Sequence, residues 1–165
     1  MPQVLALIEL VDGKPSDSAG ELLAAAAVLG EPAAVVVTEG SAGDVVKELG
    51  KLGAATVYAA SVTGADSLLV TPHVAALEAA AAAAKPAAVI VGSTPDSREA
   101  GARLAVRIGG AYQSDVTGLT AKAVVTQSAF GGAYIVTASA AKGVPVISLR
   151  SNSIDGSAAA ASGTL

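Results

Sequence analysis

Cysteine is missing from this sequence, and histidine occurs once, at His73. Without cysteine the chain has no disulfide, no thiolate nucleophile and no cysteine-ligated metal site. One histidine needs further ligands in register to hold a metal, and the sequence shows no such cluster. We therefore predict no metal site and no catalytic residue, and expect His73 on the solvent side of a helix. A hydrolase built on His73 is the weakest alternative, because no nucleophile motif accompanies it.

Aromatic and basic residues are also scarce. Aromatics make up 2% of the chain, and ten basic residues face fourteen acidic ones, for a net charge of −4. Nucleic-acid binders carry a basic face or stripe, so we expect no nucleic-acid partner. The core has to be built by close packing of Ala, Val, Leu and Ile. Tyr112, Phe130 and Tyr134 are the largest available fillers, and we expect them in the core or in an interface.

A hydrophobic run long enough to cross a membrane is not apparent either. The longest stretch without charge, between Lys122 and Lys142, alternates like strands, which argues against a spanning helix. The first ten residues carry no basic region before their apolar run, which Glu9 interrupts. We expect a cytoplasmic protein without direct membrane insertion.

Phosphate-binding motifs are incomplete. Gly13-Lys14-Pro15 lacks the Ser or Thr and the upstream Gly of a P-loop, and no G-x-G-x-x-G follows the first strand. The loop at residues 92–97 offers free amide groups at a helix start, where an anion could bind. Its simpler interpretation is a strand-to-helix turn capped by Thr94. A small nucleotide-binding module of the universal-stress type, using this loop for phosphate, stays open as the alternative function.

The first two-thirds of the chain alternate between strand and helix patterns. Strands are predicted at residues 4–10, 33–38, 56–60 and 87–91, with loops at 11–15 and 61–69 and with helices ending at residues 29, 49, 84 and 108. Ser18 with Glu21, and Ser41 with Asp44, have the spacing of a capping box. This alternation predicts a doubly wound, mostly parallel α/β sheet with helices on both faces.

The last third reads differently. Strands are predicted at residues 113–119, 123–129, 133–139 and 144–149, with links too short for helices. Short links favour antiparallel pairing, so we expect an antiparallel β-rich extension on one edge of the sheet. Residues 151–165 consist mainly of Ser, Ala, Gly and Asn. We therefore predict a domain at residues 1–150 followed by a linker or tail at 151–165.

Charged residues suggest one partner surface. Glu99, Arg103 and Arg107 lie four residues apart, an order that suits an ion-paired helix face. The sharper hypothesis makes Arg103 and Arg107 contacts for a partner chain, since Arg is enriched at interfaces. Asp115 is expected to cap a strand or to bind backbone amides.

Several sequence blocks follow one another with compatible spacing, at residues 4–9 with 12–14, 89–94, 101–105, 114–116, 130–137 and 143–147. Together these blocks resemble the N-terminal domain of electron transfer flavoprotein α subunits, with Arg150 where the family often has arginine. The resemblance extends over residues 1–152. It implies a fold akin to adenine-nucleotide α-hydrolase-like domains, without their ATP-binding loop.

The same resemblance implies a heterodimer of α and β subunits that holds one FAD, often with AMP in the β subunit. The flavin takes electrons from dehydrogenases such as acyl-CoA dehydrogenases and passes them to a membrane quinone oxidoreductase. Family α chains are longer and hold FAD chiefly in a C-terminal domain. We therefore assign no cofactor-binding residue here, expect the FAD site beyond Leu165, and expect this domain to be a non-catalytic scaffold of an electron carrier.

Overall fold

A computed structural model describes residues 1–165, apart from the side chain of Asp66. The elements follow in the order β1 (Gln3–Leu7), β2 (Leu10–Val11), β3 (Lys14–Pro15), α1 (Ala19–Leu29), β4 (Glu31–Thr38), α2 (Gly43–Lys51), β5 (Thr56–Ser61), α3 (Thr71–Ala84), β6 (Ala88–Val91), α4 (Pro95–Ile108), β7 (Ala111–Leu119), β8 (Val125–Ala129), β9 (Tyr134–Ala138) and β10 (Pro145–Leu149). Short 3-10 turns lie at Ala65–Ser67 and Phe130–Gly132. The predicted loop at residues 11–15 forms a small hairpin, β2–β3.

The main sheet has eight strands in the order β5-β4-β1-β6-β10-β7-β8-β9. Neighbours from β5 to β7 pair parallel, and β8 and β9 continue antiparallel. From β1 the chain passes through α1 to β4 on one side, and from β6 it passes through α4 to β7 on the other. The predicted doubly wound, mostly parallel sheet is confirmed.

One predicted strand lies elsewhere than expected. Residues 144–149 were assigned to the antiparallel extension, and this assignment is wrong. The observed strand β10 lies between β6 and β7, parallel to both, with Val146 opposite Val89 and Tyr112. Two parallel neighbouring strands need a long connection between them. Between β7 and β10 this connection is the β8–β9 hairpin, where other pairs of strands in the sheet are connected by a helix. All five residues of β10 are buried, as suits an interior strand.

Helices cover both faces of the sheet. Alternate β1 residues point to opposite sides: Val4 and Ala6 pack with α1 and α2, whereas Leu5 and Leu7 pack with α3 and α4. Alanine supplies much of the buried surface of α1 and α3, which lets these helices pack closely on the strands. No helix in the described part of the chain combines the length and apolarity needed to cross a bilayer.

Among the predicted N-terminal helix caps, only the one at α4 is confirmed. There Thr94 Oγ1 accepts a hydrogen bond from the Ser97 amide at 3.0 Å. Ser18 precedes α1 with helical φ and ψ angles of −76° and −8° and makes no side-chain cap bond, so the predicted capping box is wrong. An N-cap residue needs extended backbone to aim its hydroxyl at the first turn. The cap predicted at Ser41 is also wrong, because Ala42 is the N-cap of α2.

Candidate partner-binding surface

The hairpin at the end of the sheet exposes apolar side chains. We call residues 125–138, which include β8, the Phe130–Gly132 turn and β9, the β8–β9 arm. Phe130 is 86% exposed, Tyr134 64% and Ile135 67%, and Val136 is also exposed. The rings of Phe130 and Tyr134 meet edge to face with centroids 5.8 Å apart. The expectation that these two aromatics fill the core is wrong, whereas the interface alternative stays a prediction. Tyr112 does pack partly buried against the core.

The strand β9 is also an edge. It ends the strand order of the sheet, with β8 as its neighbour. Natural sheets usually protect such an edge with charge, proline, a bulge or a cover, because free backbone groups pair with other chains. Every β9 residue from Tyr134 to Thr137 is exposed, and none carries a charge. An apolar, uncharged edge is suited to binding a partner chain.

An ion pair fixes the arm to the parallel sheet. Arg150 follows β10, and its Nε donates to Asp115 Oδ1 at 2.9 Å while Nη2 donates to Asp115 Oδ2. The same Nη2 lies 3.4 Å from the Ser128 carbonyl oxygen in β8. The Asp115 amide donates to Ser148 Oγ at 3.1 Å. One guanidinium therefore joins β7, β8 and the end of β10 in a bidentate geometry that favours a single orientation.

The electrostatics of this pair follow from its hydrogen bonds. The Arg150 hydrogen bond holds the pKa of the Asp115 carboxyl below its usual value, and outweighs burial, which raises it. Asp115 in turn raises the pKa of Arg150. Asp115 adopts a left-handed backbone with φ of 57°, beside a register shift where β7 leaves β10 and joins β8. The prediction that Asp115 caps or binds backbone missed Arg150, because 35 residues separate them.

The surface of α4 carries the two arginines predicted from sequence. Arg103 pairs with Glu99 one turn earlier, as predicted. Arg107 Nη1 instead lies 2.6 Å from Glu78 Oε2 on α3 and joins the two helices. Both arginines are about half-exposed, and Val106 between them is 84% exposed. Their contact with a partner chain stays a prediction.

The carboxyl edge of the sheet does not resemble a phosphate site. At the boundary between β1 and β6, where such folds bind ligands, Thr94 Oγ1 donates to Glu9 Oε1 at 2.6 Å. The hydroxyls of Ser93 and Ser151 are 2.8 Å apart across the same opening. A carboxylate beside the start of α4 repels phosphate. These contacts favour the capped-turn interpretation of residues 92–97.

A cavity of about 410 Å³ lies beside the end of β4, and the acidic residues Asp12 and Glu39 line it, which disfavours phosphate binding there as well.

In the part of the chain that the structure describes, the side chains that could bind a metal or take part in catalysis do not come together in one site. His73 is partly buried, and its Nδ1 has no hydrogen-bond partner within the described residues. Among those residues no three metal-ligating side chains come together.

Comparison with known proteins shows the family of the chain. Residues 4–165 match the model of the electron transfer flavoprotein domain. The chain belongs to this family. An electron transfer flavoprotein subunit alpha of Mycobacterium leprae is 42% identical over 99% of this chain. Proteins of the same description from two Mycobacterium tuberculosis strains, CDC 1551 and H37Rv, are 40% identical over the same share. The chain spans 52% of the length of each of these relatives.

Proposed function

We propose that this chain is the N-terminal assembly domain of an electron transfer flavoprotein α subunit, and that it binds the β subunit through the β8–β9 arm. The observation that carries this proposal is the apolar, uncharged edge strand β9. Phe130, in the turn before this strand, and Tyr134, at its start, form an exposed aromatic pair. A partner that covers them removes apolar surface from water and pairs the free strand edge.

The whole protein's role extends this proposal. The heterodimer would lie in the cytoplasm and hold FAD, with AMP in the β subunit. It would take electrons from dehydrogenases such as acyl-CoA dehydrogenases and deliver them to a quinone oxidoreductase of the membrane. Family membership and the greater length of the relatives support this role. In this domain Glu9 and Ser151 cross the opening where a pyrophosphate would bind. These residues do not fit a dinucleotide, and we derive no electron-transfer step from them.

The surface of α4 is a second proposed contact. Arg103 and Arg107 flank the exposed Val106 and present two positive charges on one helix face. An acidic partner surface could bind there. Because each arginine already has a carboxylate partner, binding would have to compete with Glu99 and Glu78. The β8–β9 arm therefore has the stronger case.

Reconstitution tests the function directly. The complete α chain, produced with its β subunit, should yield a heterodimer with flavin absorbance. The 165-residue chain should bind the β subunit without flavin absorbance of its own. A complete pair without flavin would refute the electron-carrier role. A 165-residue chain that does not bind the β subunit, when the complete chain does, would refute the assembly role alone. Micromolar binding of ATP or AMP to the 165-residue chain would favour the nucleotide-binding alternative.

A further inference from the structure

The segment after β10 is held against the domain despite its linker-like composition. Both carboxylate oxygens of Glu21 accept backbone hydrogen bonds from three consecutive residues. The amides of Asn152, Ser153 and Ile154 donate at 3.0, 2.7 and 3.0 Å. Asn152 adopts a left-handed backbone with φ of 59°, which turns successive amides toward one anion, as in a nest. Glu21 therefore anchors this segment instead of capping α1.

The rest of the segment follows the domain to the other edge of the sheet. Ile154 and Ala158 pack against the core on the α1 and α2 side. The Ala161 amide donates to the Gly50 carbonyl at 2.7 Å. Thr164 then pairs parallel with Thr56 of β5: its amide donates to Ala55 at 3.0 Å, and its carbonyl accepts from Val57 at 2.7 Å. We call residues 152–164 the strap.

Small residues are what let the strap fit. A Cβ on Gly53 would lie 2.3 Å from Ala158 Cβ, and one on Gly50 would lie 2.9 Å from the Ala161 carbonyl oxygen. Gly163 adopts φ of +60°, and a Cβ there would lie 2.6 Å from the Val46 carbonyl oxygen. The Ser, Ala and Gly content of the strap thus matches a close backbone approach to α2.

We propose that the strap is an edge guard: anchored by Glu21, it covers the start of β5 and prevents other chains from pairing there, while β9 stays available to a partner. The strand β5 ends the sheet opposite β9, and an uncovered edge strand is a template for pairing. The Val57 amide donates to the Thr164 carbonyl of the strap, so it is not free to pair with another chain. This inference is independent of the β subunit, because it concerns the other edge of the sheet.

Two variants release the strap at different points. Glu21→Ala removes the anchor, and Thr164→Pro removes the amide that pairs with Ala55. Asp44→Ala is the matched control, since it also removes an acidic residue from a first helical turn, and the described hydrogen bond of the Asp44 carboxylate is with Lys47, not with the strap. Hydrogen exchange of the backbone amides is measured on the 165-residue chain, together with its self-association by sedimentation velocity.

The wild-type amides of Ser153, Ile154 and Thr164 should exchange slowly. Because hydrogen bonds to a charged group are strong, Glu21→Ala should speed exchange at Ser153 and Ile154 by about tenfold or more. Thr164→Pro should speed the exchange of the Val57 amide. Both variants should self-associate more than the control. Strap amides that exchange at unstructured rates in the wild type would overturn the proposal. Faster exchange without added self-association would refute the guard role as well.

Discussion

Replacing Phe130 by alanine removes the most exposed aromatic side chain of the β8–β9 arm. A phenylalanine buries about 150–250 Å² when fully covered. With 86% of it exposed, about 130–215 Å² is available to a partner, or about 3–5 kcal/mol at about 25 cal/mol per Å². Ordering and desolvation at the interface consume part of this. We expect a loss of about 1–3 kcal/mol, which weakens β-subunit binding roughly 5- to 150-fold.

Calorimetric titration of the purified chain with the β subunit measures this loss. Val11→Ala in the β2–β3 hairpin is the matched control, because Val11 is 61% exposed and belongs neither to the arm nor to α4. Its dissociation constant should stay within about twofold of the wild type, as for a surface residue outside the interface. The Tm of Phe130→Ala should change little, because Phe130 makes an exposed edge-to-face contact with Tyr134.

Three results would contradict this reasoning. If Phe130→Ala binds the β subunit as tightly as the wild type, the arm is not the interface, whatever its exposure. If Val106→Ala, made as a separate variant on α4, binds the β subunit more weakly than Phe130→Ala does, the interface lies on α4 and the arginine hypothesis gains support. A large fall in Tm for Phe130→Ala would mean that the ring stabilises the arm itself.

Three further predictions concern the core, the ion pair and the α4 surface. Leu104→Ala, at a fully buried position on α4, should lower the free energy of unfolding by about 2–5 kcal/mol in urea titration; a smaller loss would mean that the site collapses around the cavity. Asp115→Asn should lower Tm at neutral pH. Because the folded pKa of Asp115 is depressed, this difference should shrink as the pH falls below about 4, and a pH-independent difference would contradict the role of the charge. Reversing Arg103 and Arg107 to Glu should weaken β-subunit binding with little change in Tm if both are partner contacts, and unchanged binding would leave them as a solvated helix face.

Local patterns predicted the α/β class because each strand and helix carries its own signal. The apolar run at residues 87–91 and the Thr94-Pro95 start of α4 needed no knowledge of the rest of the chain. The position of β10 did need it. A short link suggests antiparallel neighbours, and nothing local reveals that the β8–β9 hairpin takes the place of a crossover helix.

Pairs distant in sequence escaped prediction for the same reason. Glu21 has capping-box spacing from Ser18, and only the fold brings residues 152–154 to its carboxylate, 131 to 133 positions away. Asp115 meets Arg150 only because β10 lies beside β7. The sequence offered two signals for this pair: Arg150 directly follows a buried strand, and Asp115 interrupts another strand. Neither signal names its partner.

Composition gave the least information about position where it was most uneven. Residues 151–165 were expected to be a linker or tail because of their small residues, and these small residues let the segment approach the backbone of α2 and pair with β5. Tyr112, Phe130 and Tyr134 were expected in the core or in an interface, and two of them, Phe130 and Tyr134, are exposed on the arm. A core of Ala, Val, Leu and Ile packs closely without these two rings. In the isolated domain the rings therefore expose apolar surface to water, which is unfavourable. This exposure is relieved only when another surface covers the arm. We therefore expect the domain to bind its partner at β9 rather than at the carboxyl edge of the sheet.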